Sequence, residues 1–234
     1  MMRIEVLADA DAVAQRAAAF IAAEARAAVA ARGRFALAVS GGHTPWQMLR
    51  VLAGEQLECS AVHLFQVDEL VAPAGDPDRN LTHISASLLT QVTLPPGQLH
   101  AMQVEDKDLA AVARSYAQEL QAVAGSPPTL DLVHLGLGPD GHTASLVPGD
   151  PVLDISDADV ALTGIYQKRR RMTLTYPLLN RARRVLWLVT GSEKAEMLTR
   201  LRASDRTIPA GRVRSDQAVL LADAAAAGSQ PQQP

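Results

Sequence analysis

The side chains best suited to acid–base chemistry follow an apolar run in residues 130–149 (LDLVHLGLGPDGHTASLVPG). The run ends in glycines, and Asp140 then precedes His142 by two residues. Histidine exchanges its proton near neutral pH, and a neighbouring carboxylate can hold the imidazole in one tautomer. An apolar strand that ends in this way is typical of an active-site edge in an α/β protein. The segment therefore predicts His142 as a candidate general base, the alternative being a histidine with a structural role only.

The same segment contains the pattern G-x-G-x-x-G at Gly136, Gly138 and Gly141, which in isolation would suggest dinucleotide binding. A dinucleotide-binding helix should continue for several turns after the third glycine, but Pro148 and Gly149 end the segment within about two. No acidic residue closes a second strand at the offset of about 20 residues that ribose binding requires. The sequence therefore predicts no nicotinamide cofactor.

Two other strand ends have the pattern of anion-binding turns. The sequence SGGHTP, with Ser40, Gly41 and Gly42, joins an apolar run to a helix start, where N–H groups and the helix dipole favour a phosphate or carboxylate. A tight turn without a ligand is the alternative. The sequence VTGSEK repeats the plan, with Ser192 as a helix cap and Lys194 in the first turn. A lysine opposes the helix dipole there, so an anion contact explains it better than a structural role.

Charged residues mark two more strand ends. Asp68 and Glu69 follow an apolar run (AVHLFQV), and Arg171 directly precedes the predicted strand MTLT. A carboxylate pair at a strand end can bind ligand hydroxyls or take part in catalysis, and a solvated loop is the alternative. Arg171 is the member of the basic run KRRR that is best placed to point at a ligand. The His, Asp and Glu positions lack zinc-ligand spacing, so no metal is predicted.

Composition narrows the class of protein. The 234 residues carry a formal charge of −3, so no basic field exists to attract nucleic acid or anionic lipid. The hydrophobic share of 48% allows a sizeable core, and the aromatic share of 3% means that this core is aliphatic. No apolar run reaches the ~20 residues of a membrane span, and the single cysteine, Cys59, excludes an internal disulfide. We expect a cytoplasmic protein without nucleic-acid or membrane partners, as a monomer or small homo-oligomer.

Apolar runs of strand length alternate with helix-period segments along the chain, which predicts an α/β fold with a mainly parallel sheet and helices on both faces. The predicted strands cover residues 3–7, 35–39, 61–67, 98–102, 130–135, 159–165, 171–175, 184–190 and 218–221. The predicted helices cover 10–32, 44–52, 80–89, 106–124, a short segment from Pro177, and 192–201. No second composition regime is present, so one domain is predicted over 1–226, with a disordered tail over 227–234.

The segment GLGPDGHTASLVPG resembles the signature of the 6-phosphogluconolactonase family. Further segments of that family occur in the same order and at similar intervals: AVSGGHTP, VDELVAP, DPDRN, RMTLT, LVTGSEKAEML and IPAGRV. The resemblance implies a Rossmann-like α/β fold of the glucosamine-6-phosphate deaminase/6-phosphogluconolactonase superfamily. It also implies hydrolysis of 6-phospho-D-glucono-1,5-lactone to 6-phospho-D-gluconate in the oxidative pentose phosphate pathway, without metal or cofactor.

The resemblance also implies roles for individual residues. By this likeness His142 takes a proton from the water that attacks the lactone carbonyl, and Asp140 orients its imidazole. Backbone N–H groups of the glycine loops are candidates for stabilising the oxyanion. The positions associated with the phosphate end of the substrate are Gly41, Gly42, Arg171 and Lys194.

One position departs from the family pattern. Where the family usually reads Asp-Glu-Arg, this chain has Leu70 after Asp68 and Glu69, and leucine cannot replace the phosphate contact of the arginine. A charge-assisted contact is worth about 1.5–3 kcal/mol, or roughly ten- to a hundredfold in affinity. Arg79 is expected to compensate from the same loop. The alternatives are a non-catalytic sugar-phosphate binder and a sugar-phosphate isomerase or deaminase of the same superfamily, with Asp68 or Glu69 as base and His142 assisting ring opening.

Overall fold

The computed structural model describes residues 2–228 and contains, within that range, ten strands and six α-helices. The strands are β1 (Arg3–Leu7), β2 (Phe35–Val39), β3 (Val62–Gln66), β4 (Asp68–Leu70), β5 (Leu99–His100), β6 (Leu132–Gly136), β7 (Val160–Leu162), β8 (Arg171–Leu174), β9 (Val185–Val189) and β10 (Ala218–Asp223). The helices are α1 (Ala10–Arg32), α2 (His43–Leu52), α3 (Asn80–Ile84), α4 (Leu109–Ala124), α5 (Tyr176–Arg181) and α6 (Ala195–Arg202). A π-helical turn, Ser85–Leu89, extends α3.

Seven strands form one sheet in the order β1-β10-β9-β6-β2-β3-β5, and every neighbouring pair in it is parallel. The predicted α/β fold with a mainly parallel sheet is confirmed. The strand order reverses between β2 and β6, because β3 and β5 continue to one side and β9 and β10 to the other. The loops that leave β2 and β6 therefore diverge and open a crevice at the carboxyl ends of the strands.

Apolar side chains cover both faces of this sheet and form two core clusters. One cluster joins the alanine-rich face of α1 to Phe35, Leu37 and Val39 of β2. The other contains Ala36 and Ala38 of the same strand together with the buried face of α4. Alternate residues of β2 thus pack on opposite faces, as strand geometry requires. Both clusters consist mainly of alanine, valine and leucine, which agrees with the aliphatic core predicted from composition.

Local sequence explains both ends of α1. The Asp9 carboxylate accepts the backbone N–H of Ala12 at 2.8 Å, and Gly33 ends the helix in the left-handed conformation at φ 71°. The bounds of the helix are those predicted. Although α1 has 23 residues, neither it nor another helix within residues 2–228 combines the length and the apolar character that a bilayer crossing requires.

The start of α2 differs from the prediction. The helix begins at His43, one residue before the predicted start, after Gly42 at φ 120°, and no side chain caps it. The hydroxyls of Thr44 and Thr190 instead share a hydrogen bond of 2.5 Å. This bond joins the start of α2 to the end of β9, two segments that both border the crevice.

A second sheet, which the sequence did not predict, is antiparallel and has the order β4-β8-β7. Asp68 to Leu70 pair with β8 instead of extending β3, so that Asp68 lies opposite Thr173 and Leu70 lies opposite Arg171. The sequence predicts strands at β7 and β8, but β4 has only three residues and is too short for hydrophobic periodicity to reveal. The small sheet brings Asp68 close to Arg171, although 103 positions separate them in the chain.

Other boundaries are shorter than predicted. The strand expected over 98–102 is reduced to the two residues of β5, and the strand expected over 159–165 is reduced to β7, because the chain then enters a hairpin. Residues 227 and 228 lie in a hydrogen-bonded turn after β10. The rest of the predicted tail, 229–234, lies outside the described residues. The single domain over 1–226 stays a prediction.

Candidate active site

A cleft of about 440 Å³ opens at the carboxyl ends of β2, β6 and β9, where the strand order reverses. Most residues that the sequence singles out line it: Ser40, Gly41, Gly42, Asp68, His142, Arg171 and Lys194. Asp140 contacts the lining residue His142. The fold thus brings together segments from five separate strand ends.

His142 lies at the cleft wall with its imidazole held from one side. Its Nδ1 atom is 2.6 Å from Oδ1 of Asp140, and the same oxygen accepts the backbone N–H of His142 at 3.1 Å. An ionised carboxylate only accepts hydrogen bonds, so the proton of the neutral ring lies on Nδ1 and Nε2 is the basic nitrogen. Within residues 2–228 the hydrogen bonds of the ring involve Nδ1 only. The pair therefore presents a base to the cleft.

The charge of Asp140 is set by opposing effects. Partial burial disfavours the charged form, but hydrogen bonds from the backbone and imidazole of His142 and the charge of that ring outweigh burial and lower the pKa of Asp140. The hydroxyl of Tyr166 donates a further hydrogen bond to Oδ2 of Asp140 at 3.3 Å. Asp140 is thus ionised at neutral pH, and its charge can stabilise an imidazolium at His142.

Glycines allow the loop to fold against the imidazole. A Cβ atom at Gly138 would lie 2.1 Å from Nδ1 of His142, so no other residue fits without displacing the ring. The N–H of Gly138 donates to the carbonyl of His142 at 2.8 Å, and the N–H of Gly141 donates to the carbonyl of Gly138 at 3.0 Å. Gly141 has a φ of 83°, in the left-handed region that favours glycine. The glycine pattern therefore shapes the loop that carries His142.

The loop after β2 is held by hydrogen bonds at its start, and at its end the first backbone N–H groups of α2 border the cleft. Ser40 donates its N–H to Nδ1 of His134 at 3.3 Å and its hydroxyl to the carbonyl of His134 at 3.0 Å. A Cβ atom at Gly41 would lie 1.8 Å from Oδ1 of Asn80, so the loop requires glycine there. After Gly42 the first N–H groups of α2 have no acceptor within the helix. Their place at the cleft suits an anion, as the sequence predicts.

Asp68 and Arg171, each predicted from its own strand end, meet across the small sheet. Nη2 of Arg171 is 3.4 Å from Oδ2 of Asp68, and Nε of Arg171 donates to the hydroxyl of Ser145 at 2.7 Å. Ser145 donates in turn to Oδ2 of Asp68 at 2.5 Å, and the amide of Asn80 donates to Oδ1 at 3.1 Å. The guanidinium is fixed along one edge, and its remaining N–H groups are available to an anion in the cleft.

Lys194 lines the cleft from a turn rather than from a helix. Ser192 to Lys194 form a 3₁₀ turn after β9, so Lys194 immediately precedes α6 instead of lying in its first turn. The predicted cap by Ser192 is absent from this turn, where no side chain makes a capping hydrogen bond. The N–H of Gly191 donates to both carboxylate oxygens of Asp223 at 3.1 Å and ties the turn to β10.

Two predicted ligand residues, Glu69 and Arg79, do not reach the cleft. Glu69 is 0% exposed and accepts the backbone N–H groups of Asn80 and Leu81 at 2.8 Å, so it anchors the start of α3. Arg79 is 2% exposed, and its guanidinium pairs with Glu69 at 3.5 Å and with Glu105. The expectation that Arg79 compensates for the missing arginine is therefore corrected, because two carboxylates already hold its charge away from the cleft.

Leu70 itself is packed away from solvent. It is 2% exposed and lies opposite Arg171 in the small sheet. A buried leucine offers no donor to an anion. The position that departs from the family pattern thus contributes packing to the small sheet.

Three polar residues that received no role from the sequence support the site. Asn80 donates to the carbonyl of Asp68 at 2.8 Å as well as to its carboxylate, and Ser145 links Asp68 to Arg171. Tyr166 contacts Asp140 from the hairpin between β7 and β8. Ser145 lies within the motif around His142 and could have been found there, whereas nothing in the sequence near Tyr166 indicates a role.

The part of the chain that the structure describes shows no arrangement of side chains suited to binding a metal ion. There, no group of three or more His, Cys, Asp or Glu side chains is arranged to hold a metal ion. Cys59 is half-buried, and its Sγ lies 3.6 Å from the carbonyl of Leu57, outside the cleft.

The fold and the cleft define a doubly wound α/β protein whose strand-end site combines a His–Asp pair with cationic side chains. The family model described as glucosamine-6-phosphate isomerases/6-phosphogluconolactonase matches residues 8–221. The chain belongs to this family.

Individual relatives agree with this assignment. The chain is 35% identical over 200 residues to a 6-phosphogluconolactonase of Synechocystis, with 84% of this chain and 83% of the relative covered. It is 37% identical over 204 residues to one of Mycobacterium tuberculosis, with 82% and 83% covered. The structure of 6-phosphogluconolactonase from Thermotoga maritima has a TM-score of 0.84 at 26% identity, with 95% and 99% covered. A monomeric glucosamine-6-phosphate deaminase also has a TM-score of 0.84, but its 18% identity shows similarity of fold alone.

Proposed function

We propose that the protein hydrolyses 6-phospho-D-glucono-1,5-lactone to 6-phospho-D-gluconate, a step of the oxidative pentose phosphate pathway. The observation that carries this proposal is the imidazole of His142 at the cleft wall, which Asp140 holds at Nδ1 and whose Nε2 has no hydrogen-bond partner among residues 2–228. Relatives named 6-phosphogluconolactonase at 35% and 37% identity support the same substrate.

In this mechanism Nε2 of His142 accepts a proton from a water molecule as the water oxygen attacks the lactone carbonyl carbon. The tetrahedral intermediate collapses when the bond from that carbon to the ring oxygen breaks. The imidazolium then returns its proton to the departing ring oxygen, which becomes a hydroxyl. Asp140 stabilises the transient imidazolium through the hydrogen bond at Nδ1. The net reaction consumes one water and yields a carboxylic acid, which releases a proton to the solvent.

The oxyanion of the intermediate needs hydrogen-bond donors. The glycine loops after β2 and after β6 differ in whether their backbone N–H groups are available to a ligand. The amides of Gly138 and Gly141 already donate within their own loop. The N–H groups at the start of α2 lack an acceptor within the helix and are available to the phosphate or to the oxyanion. Of the two loops, the loop after β2 is therefore the one whose backbone N–H groups can bind an anion.

The phosphate end of the substrate is assigned to Arg171, Lys194 and the start of α2. A phosphate near neutral pH carries close to two negative charges, and two cations with a helix N-terminus complement them. Because Leu70 offers no donor and Arg79 is held by carboxylates, these groups carry phosphate recognition without a third cation from the loop after β4.

The alternative reactions need a different base. An isomerase or deaminase would use a free carboxylate to remove a carbon-bound proton, and Asp68 is the candidate that lines the cleft. Its two oxygens are engaged by Ser145, Asn80 and Arg171, which favours a structural role for Asp68. A non-catalytic binder would have no need of the ordered pair formed by Asp140 and His142.

Acid release from freshly prepared lactone tests the proposal. The lactone also hydrolyses spontaneously, so wild type must exceed the background rate, and His142→Ala is expected to fall to it. His63→Ala is the control, since His63 pairs with His100 outside the cleft. A wild-type rate equal to background would refute the proposal. Tight calorimetric binding of 6-phosphogluconate without turnover would then identify a binder, and ammonia from glucosamine 6-phosphate would identify a deaminase.

Three further expectations from the sequence stay predictions: a cytoplasmic location, a monomer or small homo-oligomer, and the absence of nucleic-acid partners. Light scattering coupled to size-exclusion chromatography measures the second directly.

A further inference from the structure

Tyr166 contacts both members of the catalytic pair from outside the motif that carries them. Its hydroxyl donates to Oδ2 of Asp140 at 3.3 Å, while Oδ1 of the same carboxylate accepts both hydrogen bonds from His142. The phenol ring also lies edge-on to the imidazole, with the ring centroids 6.2 Å apart and the planes at 61°. The two oxygens of Asp140 are therefore held by different partners.

A tight hairpin between β7 and β8 places Tyr166 beside Asp140 and His142. Tyr166 and Arg169 exchange two backbone hydrogen bonds, at 2.9 and 3.0 Å. Gln167 and Lys168 between them have φ angles of 50° and 65°, which residues other than glycine rarely adopt. Arg169 also pairs with Asp76 at 3.4 Å, which joins the hairpin to the loop before α3. Such backbone strain persists where the surroundings hold it in place, often at functional sites.

The phenol of Tyr166 remains a donor across the neutral range. Partial burial, the charge of Asp140 and the hydrogen bond to it raise the pKa of Tyr166 above its ordinary value. A protonated phenol next to an ionised carboxylate gives a charge-assisted hydrogen bond. The direction of this bond is thus set by the chemistry of the two groups.

We infer that Tyr166 is a positioning residue of the reaction, which fixes the rotation of the Asp140 carboxylate so that Oδ1 stays aligned with both donors of His142. The inference rests on the proposed role of His142 as base. The torsion that turns a carboxylate is broad and weakly restrained by itself. A donor on Oδ2 therefore restricts the angle at which Oδ1 meets the imidazole, and this second contact keeps the base in the productive orientation.

Tyr166→Phe tests the inference because it removes only the hydroxyl. With the phosphorylated lactone, kcat is expected to fall about three- to tenfold and KM to stay within about twofold, since the hydroxyl contacts Asp140, the partner of the base, and not the phosphate-binding residues. The acid limb of the pH profile of kcat is expected to move to higher pH. A carboxylate that has lost a donor favours the protonated imidazole more strongly. NMR titration of the His142 ring, which needs no substrate, is expected to move in the same direction.

Tyr116→Phe is the matched control. The Tyr116 hydroxyl is fully buried and donates to the backbone carbonyls of Gln66 and His100, away from the pair. Its loss is expected to lower thermal stability and to leave the pH profile unchanged. A wild-type kcat and pH profile in Tyr166→Phe, or a rise in KM alone, would overturn the positioning role. Full activity in His142→Ala would instead refute the proposed base, whatever Tyr166 does.

Discussion

Oδ1 of Asp140 accepts two hydrogen bonds from His142, one from the imidazole Nδ1 at 2.6 Å and one from the backbone N–H at 3.1 Å. One oxygen thereby fixes both the ring and the segment of chain that carries it. Because the ring is held at Nδ1, only Nε2 is available for proton transfer. In the proposed mechanism Asp140 orients the imidazole and supplies the negative charge beside it, and His142 transfers the proton.

Asp140→Asn keeps the size of the side chain and removes its charge. We expect kcat for lactone hydrolysis to fall about a hundredfold or more, because a neutral amide does not stabilise the imidazolium. The acid limb of the pH profile should move to lower pH, since loss of the negative charge makes proton uptake by His142 less favourable. This direction is opposite to that expected for Tyr166→Phe. A pH-stat series measures both, and an unchanged kcat would show that the pair is not the catalytic unit.

Gly138→Ala is expected to lower activity strongly while it changes thermal stability little. The new Cβ would lie 2.1 Å from Nδ1 of His142, and a side-chain ring can rotate away more easily than the backbone can move. A displaced base should cost about a hundredfold in kcat while the melting temperature changes little. Gly54→Ala is the control, because its Cβ would meet only the carbonyl of Val51 at 3.4 Å, outside the cleft. Similar activity in the two variants would contradict the role of this close approach.

Lys194→Ala and Arg171→Ala test recognition of the phosphate. Each is expected to raise KM for the phosphorylated lactone roughly ten- to a hundredfold, the size of one charge-assisted contact. Lys194→Ala is easier to interpret than Arg171→Ala. Arg171 also contacts Ser145 and Asp68, so its removal would change the arrangement of these residues as well.

The unphosphorylated D-glucono-1,5-lactone provides the discriminating substrate for these two variants. If the cations bind phosphate, their removal should leave turnover of this lactone near its wild-type value. Arg183→Ala is the control, since this half-exposed arginine pairs with Asp131 outside the cleft. Equal losses on both lactones would assign the cations to the reaction centre instead.

The sequence predicts the pair formed by Asp140 and His142 because the geometry of this pair is local. Asp140 and His142 are two residues apart in a glycine loop, so a hydrogen bond between them needs no tertiary information. The strands of the large sheet are likewise visible as apolar runs, since most are five residues or longer and buried on both faces. Parallel order then places their carboxyl ends together.

Contacts that depend on tertiary pairing could not be predicted. Asp68 and Arg171 meet only because two very short antiparallel strands pair. Arg79 lies in the expected loop, but Glu105, which is 26 positions away, competes for its guanidinium. Tyr166 reaches Asp140 through a hairpin whose central residues have positive φ without being glycine, and composition gives no signal for such a turn.

The buried His134 gives the fold a pH dependence of its own. Its ring is fully buried in β6, with Nδ1 accepting the N–H of Ser40 at 3.3 Å. Burial lowers the pKa of His134 from 6.5 to about 3. Unfolding restores the ordinary value, so below about pH 6.5 the unfolded chain binds a proton that the folded chain does not. The free energy of unfolding should therefore fall as the pH drops from about 6.5 towards 3, by up to about 1.4 kcal/mol per pH unit from this group.

His134→Asn isolates this contribution, because the amide oxygen can accept the N–H of Ser40 but the side chain does not titrate. The variant should be less stable than wild type near pH 7.5, since a smaller side chain fills the buried site. Its free energy of unfolding should decline less steeply between about pH 6.5 and 4 than that of wild type, so that the two curves converge. Urea unfolding at a series of pH values measures both slopes, and the difference between the curves cancels the other titrating groups. Parallel curves would mean that His134 binds its proton as readily in the folded chain as in the unfolded one.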